Sequence, residues 1–129
     1  MSGVALSDAG RAAAEIVDAF ARHDRERYFA GFADDATFLF HAAPELLRSR
    51  AEYEDQWRSW EAEGFRVVGC RTSDADLRMI ADGVAVLTHR VRTRLAGADE
   101  ELRERETIVL RRESDGRWLG VHEHLSPES

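Results

Sequence analysis

No lysine occurs in this chain, and all 18 basic residues are arginines. Schiff-base catalysis and lysine-based phosphate-loop chemistry are therefore excluded, because both need a primary amine. The single cysteine, Cys70, has no partner for an internal disulfide and rules out a cysteine-rich zinc site. No apolar run approaches the roughly 20 residues that span a bilayer, so no membrane helix is expected. The opening segment Met1-Ser2-Gly3-Val4-Ala5-Leu6 has no basic n-region and too short an apolar stretch for a signal peptide, so the expected location is cytoplasmic. A basic surface is lacking too. Acidic residues number 25 against 18 basic, a formal charge of −7, which argues against nucleic acid as the partner.

What is present suffices for one globular domain, residues 1–129, because 43% of the 129 residues are hydrophobic. Ser7 is a candidate N-cap for a helix running to about His23. Ala13, Ile16, Val17 and Phe20 follow the i, i+3, i+4, i+7 spacing of a buried face. Asp24 can cap a second, short helix that carries Tyr28, Phe29 and Phe32. Asp34-Asp35 reads as a turn, and Ala36 to His41 is rich in β-formers. Leu46-Leu47-Arg48 can return as a short partner. Ser49 opens a third helix ending near Gly64, with Tyr53, Trp57 and Trp60 in one aromatic stripe.

From Phe65 onward the pattern is strand after strand. Phe65 to Ile80 is one strand bent near Thr72-Ser73-Asp74. Val84 to Leu95 follows after Asp82-Gly83, Leu102 to Glu113 after Gly97-Ala98-Asp99, and a tail strand after Ser114-Asp115-Gly116. The expected class is α+β: three N-terminal helices packed on a curved, mixed or antiparallel sheet.

Alternation puts Trp118, Gly120, His122, His124 and Ser126 on one face of the tail strand, with the imidazoles about 7 Å apart. Pairing Glu113 with Arg117, and turning the earlier hairpin between Ala98 and Asp99, produces three rows. They are Leu87, Leu110 and Gly120; then His89, Ile108 and His122; then Val91, Glu106 and His124. An apolar wall with a few convergent polar groups is what a small-molecule pocket requires. The opposite face carries Arg90, Arg92 and Arg94 against Thr107, Arg105 and Arg103, which need carboxylate partners such as Glu100, Glu101 or Glu123. A one-residue slip in either hairpin would exchange the faces and put the histidines among the arginines.

The segments Phe32-Ala33-Asp34-Asp35-Ala36-Thr37-Phe38, Arg105-Glu106-Thr107, Asp115-Gly116-Arg117-Trp118 and His122-Glu123-His124-Leu125-Ser126, in this order, resemble the SnoaL-like branch of the NTF2-like superfamily. The tail is similar to the association domain of calmodulin-dependent kinase II. The resemblance implies a cone-shaped α+β barrel with a deep pocket, usually a homodimer packed through the sheet. It covers isomerases, cyclases, dehydratases and non-catalytic assembly modules, so fold does not settle function. The ketosteroid isomerases' catalytic Asp falls at Phe40 and their oxyanion Tyr near Ile16, so steroid-isomerase chemistry is not carried over. The hub's pocket arginines fall at Ile108 and Leu125.

The expected function is the binding of a small organic molecule in a pocket lined by His89, Trp57, Trp60, Tyr28, Phe40, Ile108 and Trp118. The alternatives are acid–base isomerase, cyclase or dehydratase chemistry by His122, His124 and Glu106, or a non-catalytic assembly role. His-x-His with His89 or Glu106 would also offer metal ligands, but no metal and no cofactor is assigned. His41 lies beside Pro44 near a possible pocket mouth, and Cys70 reads as a buried thiol.

Overall fold

The computed structural model describes residues 3–128, with side chains from residue 6 onward; Met1, Ser2 and Ser129, the ends of the expected domain, lie outside the described residues. The elements run α1 (Gly3–Ala21), α2 (Arg25–Ala30), β1 (Phe32–Phe40), α3 (Arg50–Ala62), β2 (Val67–Ala81), β3 (Val84–Leu95), β4 (Leu102–Arg112) and β5 (Trp118–Pro127). None of the described helices is long and apolar enough to cross a membrane.

α1 starts earlier than Ser7, which therefore lies inside the helix and caps nothing. Its buried face is Ala9, Ala13, Ile16 and Ala19. The small side chains bring the helix close to the sheet. Val17 and Phe20, expected on the same face, are only half-buried because both border cavities. Asp24 and Ser49 cap α2 and α3 as their sequence positions predict, accepting from the backbone N–H of Arg27 and Glu52. His23 locks the α1–α2 corner. Its backbone takes φ +54, its Nδ1 accepts from the Val67 N–H at 3.0 Å, and its Nε2–H donates to Glu61 at 2.8 Å.

The sheet has five strands in the order β1-β5-β4-β3-β2. β1 runs parallel to β5, and the other three pairings are antiparallel. The sheet is open, so the expected cone is not a closed barrel. β1 begins at Phe32, ahead of the expected Ala36, and Asp34-Asp35 belongs to it as an irregularity and not as a turn. The two carboxylates are held there by Arg50 and Arg111. Leu47 returns to β1 through a single bridge to Phe38. β2 is bent where expected, with Asp74 at φ +54 inside the register shift between Ser73 and Asp76.

The core lies between the helices and one face of the sheet. Trp57, Tyr28, Phe32, Phe38, Ile16, Ile108 and Leu110 are its largest fully buried side chains. Trp57 sits among Phe20, Tyr28, Phe29 and Phe65 at centroid distances of 6.0, 5.3, 5.5 and 4.9 Å. Truncating it to Ala would cost about 3–5 kcal/mol.

Two register differences decide what faces this core. The β3–β4 hairpin is shifted by two residues from the expected pairing, so His89 lies opposite Glu106 and Leu87 opposite Ile108. An even shift keeps each side chain on its face. The β4–β5 hairpin begins as expected, with Arg112 opposite Trp118 and Leu110 opposite Gly120. A bulge then inserts Val121, so that Val109 faces His122 and Ile108 faces Glu123. One extra residue reverses the parity of the rest of the strand. Glu123 and Leu125 turn inward, and His122 and His124 turn to the outer face among the arginines. The expected placement of the two histidines on the pocket wall is thereby corrected.

Candidate functional site

The inner face of the sheet carries three successive rows: Leu87, Ile108 and Glu123; His89, Glu106 and Leu125; and Val91 with Glu104. Period-two alternation on β3 and β4 supplies His89, Glu104 and Glu106 from otherwise apolar positions. All four polar side chains are buried, Glu123 the most deeply at 2% exposure.

These groups form one chain of hydrogen bonds. The Tyr53 and Tyr28 hydroxyls are 2.9 Å apart, and Tyr28 donates to Glu123 Oε1 at 2.8 Å. The carboxyls of Glu123 and Glu106 lie within hydrogen-bonding reach of each other, so one shared proton can join them. His89 Nε2–H donates to Glu106 Oε1 at 2.6 Å. Two carboxyls in contact in a dry interior cannot both ionise, so the pair shares a proton. Burial, then the neighbouring Glu106 charge, pushes Glu123 well above the usual carboxylate range. Burial also raises Glu106, lowers His89 so that its imidazole is neutral, and keeps both tyrosines protonated far above neutrality. The Cys70 thiol beside them is pushed up to about 11 by burial, so it is no nucleophile at neutral pH.

Two neighbouring spaces adjoin the carboxyl end of this chain, and a third, of about 450 Å³ between α1 and β2–β3, is lined by His89. An enclosed cavity of about 20 Å³ touches Tyr28, Glu104, Glu106 and Glu123, room for about one water. A larger mouth cavity of about 440 Å³ opens beyond it. Phe20, Thr93, Glu104 and Leu125 border both. The mouth is walled by Phe40, Tyr53, Trp60 and Phe65. Its polar edge is His41, whose Nε2–H donates to Glu104 Oε2 at 2.5 Å. No arginine lines either space among the described residues.

Of the residues expected to line a pocket, Trp60 and Phe40 border the mouth cavity and Tyr28 the enclosed one. His89 is tied to Glu106 beneath them. Trp57 and Ile108 are fully buried core, and Trp118 closes the far end of β5 under Arg112. Of the proposed catalytic trio, Glu106 lies in the site. His122 and His124 lie across the sheet from it, with ring centroids 6.5 Å apart. Thr37 Oγ1 is 2.8 Å from His122 Nδ1. Burial, then His124, holds the His122 imidazole below its usual range. His124 shares a shallow outer groove with Arg90 and Arg105. The metal alternative loses its third ligand with this separation, and no group of three or more His, Cys, Asp or Glu is gathered for a metal among the described residues.

Sequence reasoning missed Glu104, Glu123 and Tyr53 as site residues, whereas His41 stands at the mouth where its place beside Pro44 put it. Glu104 shares the parity of Glu106 on β4 and was legible. Glu123 was hidden by the bulge. Tyr53 sits in the expected aromatic stripe, but only the fold brings it to Tyr28.

Residues 11–128 match the model of the SnoaL-like domain family. No curated protein matches the chain. Among solved structures, the chain is similar to a ketosteroid isomerase-like protein from Erwinia carotovora atroseptica, with TM-score 0.83, 17% identity and 99% of each chain covered. It is also similar to an NTF2-like protein from Pseudomonas putida, with TM-score 0.80, 19% identity, and 98% of this chain and 88% of that chain covered. A third is a protein with a cystatin-like fold from Nostoc punctiforme, with TM-score 0.76, 14% identity, and 99% and 94% covered. Identities this low make the likeness one of fold alone.

Proposed function

The chain belongs to the SnoaL-like domain family, and from that premise we propose that it binds a small, largely apolar organic molecule in the mouth cavity. One observation carries this reading: a buried chain of proton-bearing groups, Tyr53–Tyr28–Glu123–Glu106–His89, ends at an aromatic-walled space open to solvent. A pocket with apolar walls and a few fixed polar groups is the usual form of a small-molecule site. Tyr53 borders the mouth, and because its proton goes to Tyr28, which gives its own to Glu123, its hydroxyl oxygen offers the ligand an acceptor.

The shared proton favours a second reading, acid–base chemistry on the bound molecule. Burial makes Glu106 a stronger base than an exposed carboxylate. Through a water in the small cavity it can take a proton from a carbon next to a carbonyl of a molecule held in the mouth. His122 and His124 take no part in this reading.

A bicyclic ketone, tetralone, in deuterated water tests both. The expected result is saturable binding and faster exchange of the protons beside the carbonyl. Ala42→Trp, at an exposed position on the mouth, should block binding and exchange together. Glu106→Gln should cut exchange by roughly a hundredfold or more. Binding without exchange would leave the site a receptor, and binding unaffected by Ala42→Trp would sink the cavity as its location.

We also infer that two copies pair through the outer sheet face. Leu39 is 41% exposed there. It lies beside His124 and Thr107, next to the row Val86, Val109 and His122.

A further inference from the structure

The geometry points to a ligand that carries a protonated amine, seated in the mouth cavity with its cation against Glu104 and its apolar part on the aromatic wall. This rests on the binding role proposed above and narrows its ligand class.

The charge balance of the site is the first argument. Glu63 and Glu104 border the mouth, and Glu106 and Glu123 lie just beneath. Among the described residues, the only nitrogen bases bonded to these four carboxyls are His41 on Glu104 and His89 on Glu106. All 18 arginines of the chain stay off the lining of both spaces among the described residues. Tyr28, Tyr53 and Cys70 complete the ionisable groups there, and each is neutral when protonated. A carboxylate ligand would enter beside Glu63 and Glu104 with no arginine to pair it, whereas an ammonium would meet its complement.

Glu104 is the carboxyl best placed to meet it. It borders both spaces, and its Oε2 is fixed by His41. Its Oε1 makes no hydrogen bond to another described residue, so one oxygen is left to accept from an N–H.

The wall is the second argument. Phe40, Tyr53, Trp60 and Phe65 border the mouth, packed edge to face or tilted at centroid distances of 4.9 Å for Phe40–Tyr53, 6.4 Å for Tyr53–Trp60 and 5.9 Å for Trp60–Phe65. Aromatic side chains grouped around a carboxylate are the usual recognition device for an alkylammonium, because ring faces attract cations. The net charge of −7 also draws cations toward the molecule and repels anions.

Three probes of one shape decide the question by calorimetry on the intact protein at neutral pH: naphthylmethylamine, naphthylmethanol and naphthoate. The amine should bind at least about tenfold more tightly than the alcohol, and the carboxylate more weakly than either. Glu104→Gln should remove the amine's advantage. If the alcohol or the carboxylate binds as tightly as the amine, the amine assignment is overturned while the binding role stands. If none of the three binds, both fall. An amine preference that survives in Glu104→Gln would overturn Glu104 as the cation's partner. The comparison of the three probes on the unaltered chain holds whether or not the variant folds.

Discussion

Glu123 is stabilised in its protonated form, which makes its contribution to stability depend on pH in a definite direction. Its folded-state value lies well above the ordinary 4.5. The folded protein therefore holds this proton more tightly than the unfolded chain does. The resulting stability is fully present below about pH 4.5 and is lost as pH rises through the folded-state value. His89 has the opposite sign. Its value is lowered from 6.5 by burial, so its contribution is present above about pH 6.5 and is lost as pH falls through the folded-state value. Gln mimics a protonated Glu, accepting from Tyr28 and donating to Glu106. Glu123→Gln should therefore keep the fold and, at pH 8, melt at the same temperature as the unaltered protein or higher. Glu123→Leu strands the Tyr28 hydroxyl and one side of Glu106, and should cost about 2–3 kcal/mol in denaturant titrations. Equal losses for the two variants at pH 8 would rule out the shared proton. Glu106 was legible from its parity on β4, whereas Glu123 reads as a partner for the outer arginines until the bulge is known. Of those arginines, Arg90 pairs with Asp74 and Glu128 and Arg92 with Glu128, while Glu101 goes to Arg71, the neighbour of Arg92 on β2.

At the scale of elements, β5 holds the site together because it changes face midway. Up to Gly120 its parity follows from the three-residue turn, and the Glu113 N–H to Arg117 carbonyl bond of 2.7 Å closes the hairpin as the sequence predicts. Beyond it, Val121 is absorbed as a bulge, which alternation alone does not place; Gly120, a poor strand former, is the local sign of it. Gly120 is fixed by its neighbours on both sides. Its N–H donates to the Gly31 carbonyl at 2.8 Å. A Cβ there would fall 2.6 and 2.7 Å from the Phe32 ring. That ring is fully buried, packed against Tyr28 and Phe38 at 5.3 and 5.1 Å, and has nowhere to move. Gly120→Ala should destabilise by roughly 1–3 kcal/mol. Phe32→Leu in the same chain should recover part of that loss, a coupling that a double-mutant cycle measures. Additive effects would mean that the clash with Phe32 is not the cause. The caps at Asp24 and Ser49, the hairpin turns and the aromatic helix were readable because each depends on residues near in sequence, whereas Ser7 lies inside α1 and Asp34-Asp35 inside β1. The Tyr28–Tyr53–Glu123 contact was not, since it joins three elements whose relative placement only packing decides.

At the scale of the whole molecule, charge is sorted by the sheet: carboxyls that share protons face the helices, and arginines face outward. Arg90 lies opposite Arg105 and Arg92 opposite Arg103 at one end of the outer face. The other end carries fewer charges, with Val86 opposite Val109 and Leu39 beside His124, flanked by Arg78 and Arg111. A two-fold partner laid on this face would bury this end of both copies, and a stable pair needs about 1,200–2,000 Å² in total. The expected mass in solution is then twice 14.6 kDa, and raising the salt should not reverse it, because apolar contact is not screened. Leu39→Arg combined with Val109→Arg should return the single-chain mass and leave naphthylmethanol binding in the mouth cavity intact, since neither residue borders that space. Sedimentation equilibrium at about 100 µM protein decides it. A single-chain mass for the unaltered protein would show that the outer face stays solvated and that the exposed Leu39 serves no partner.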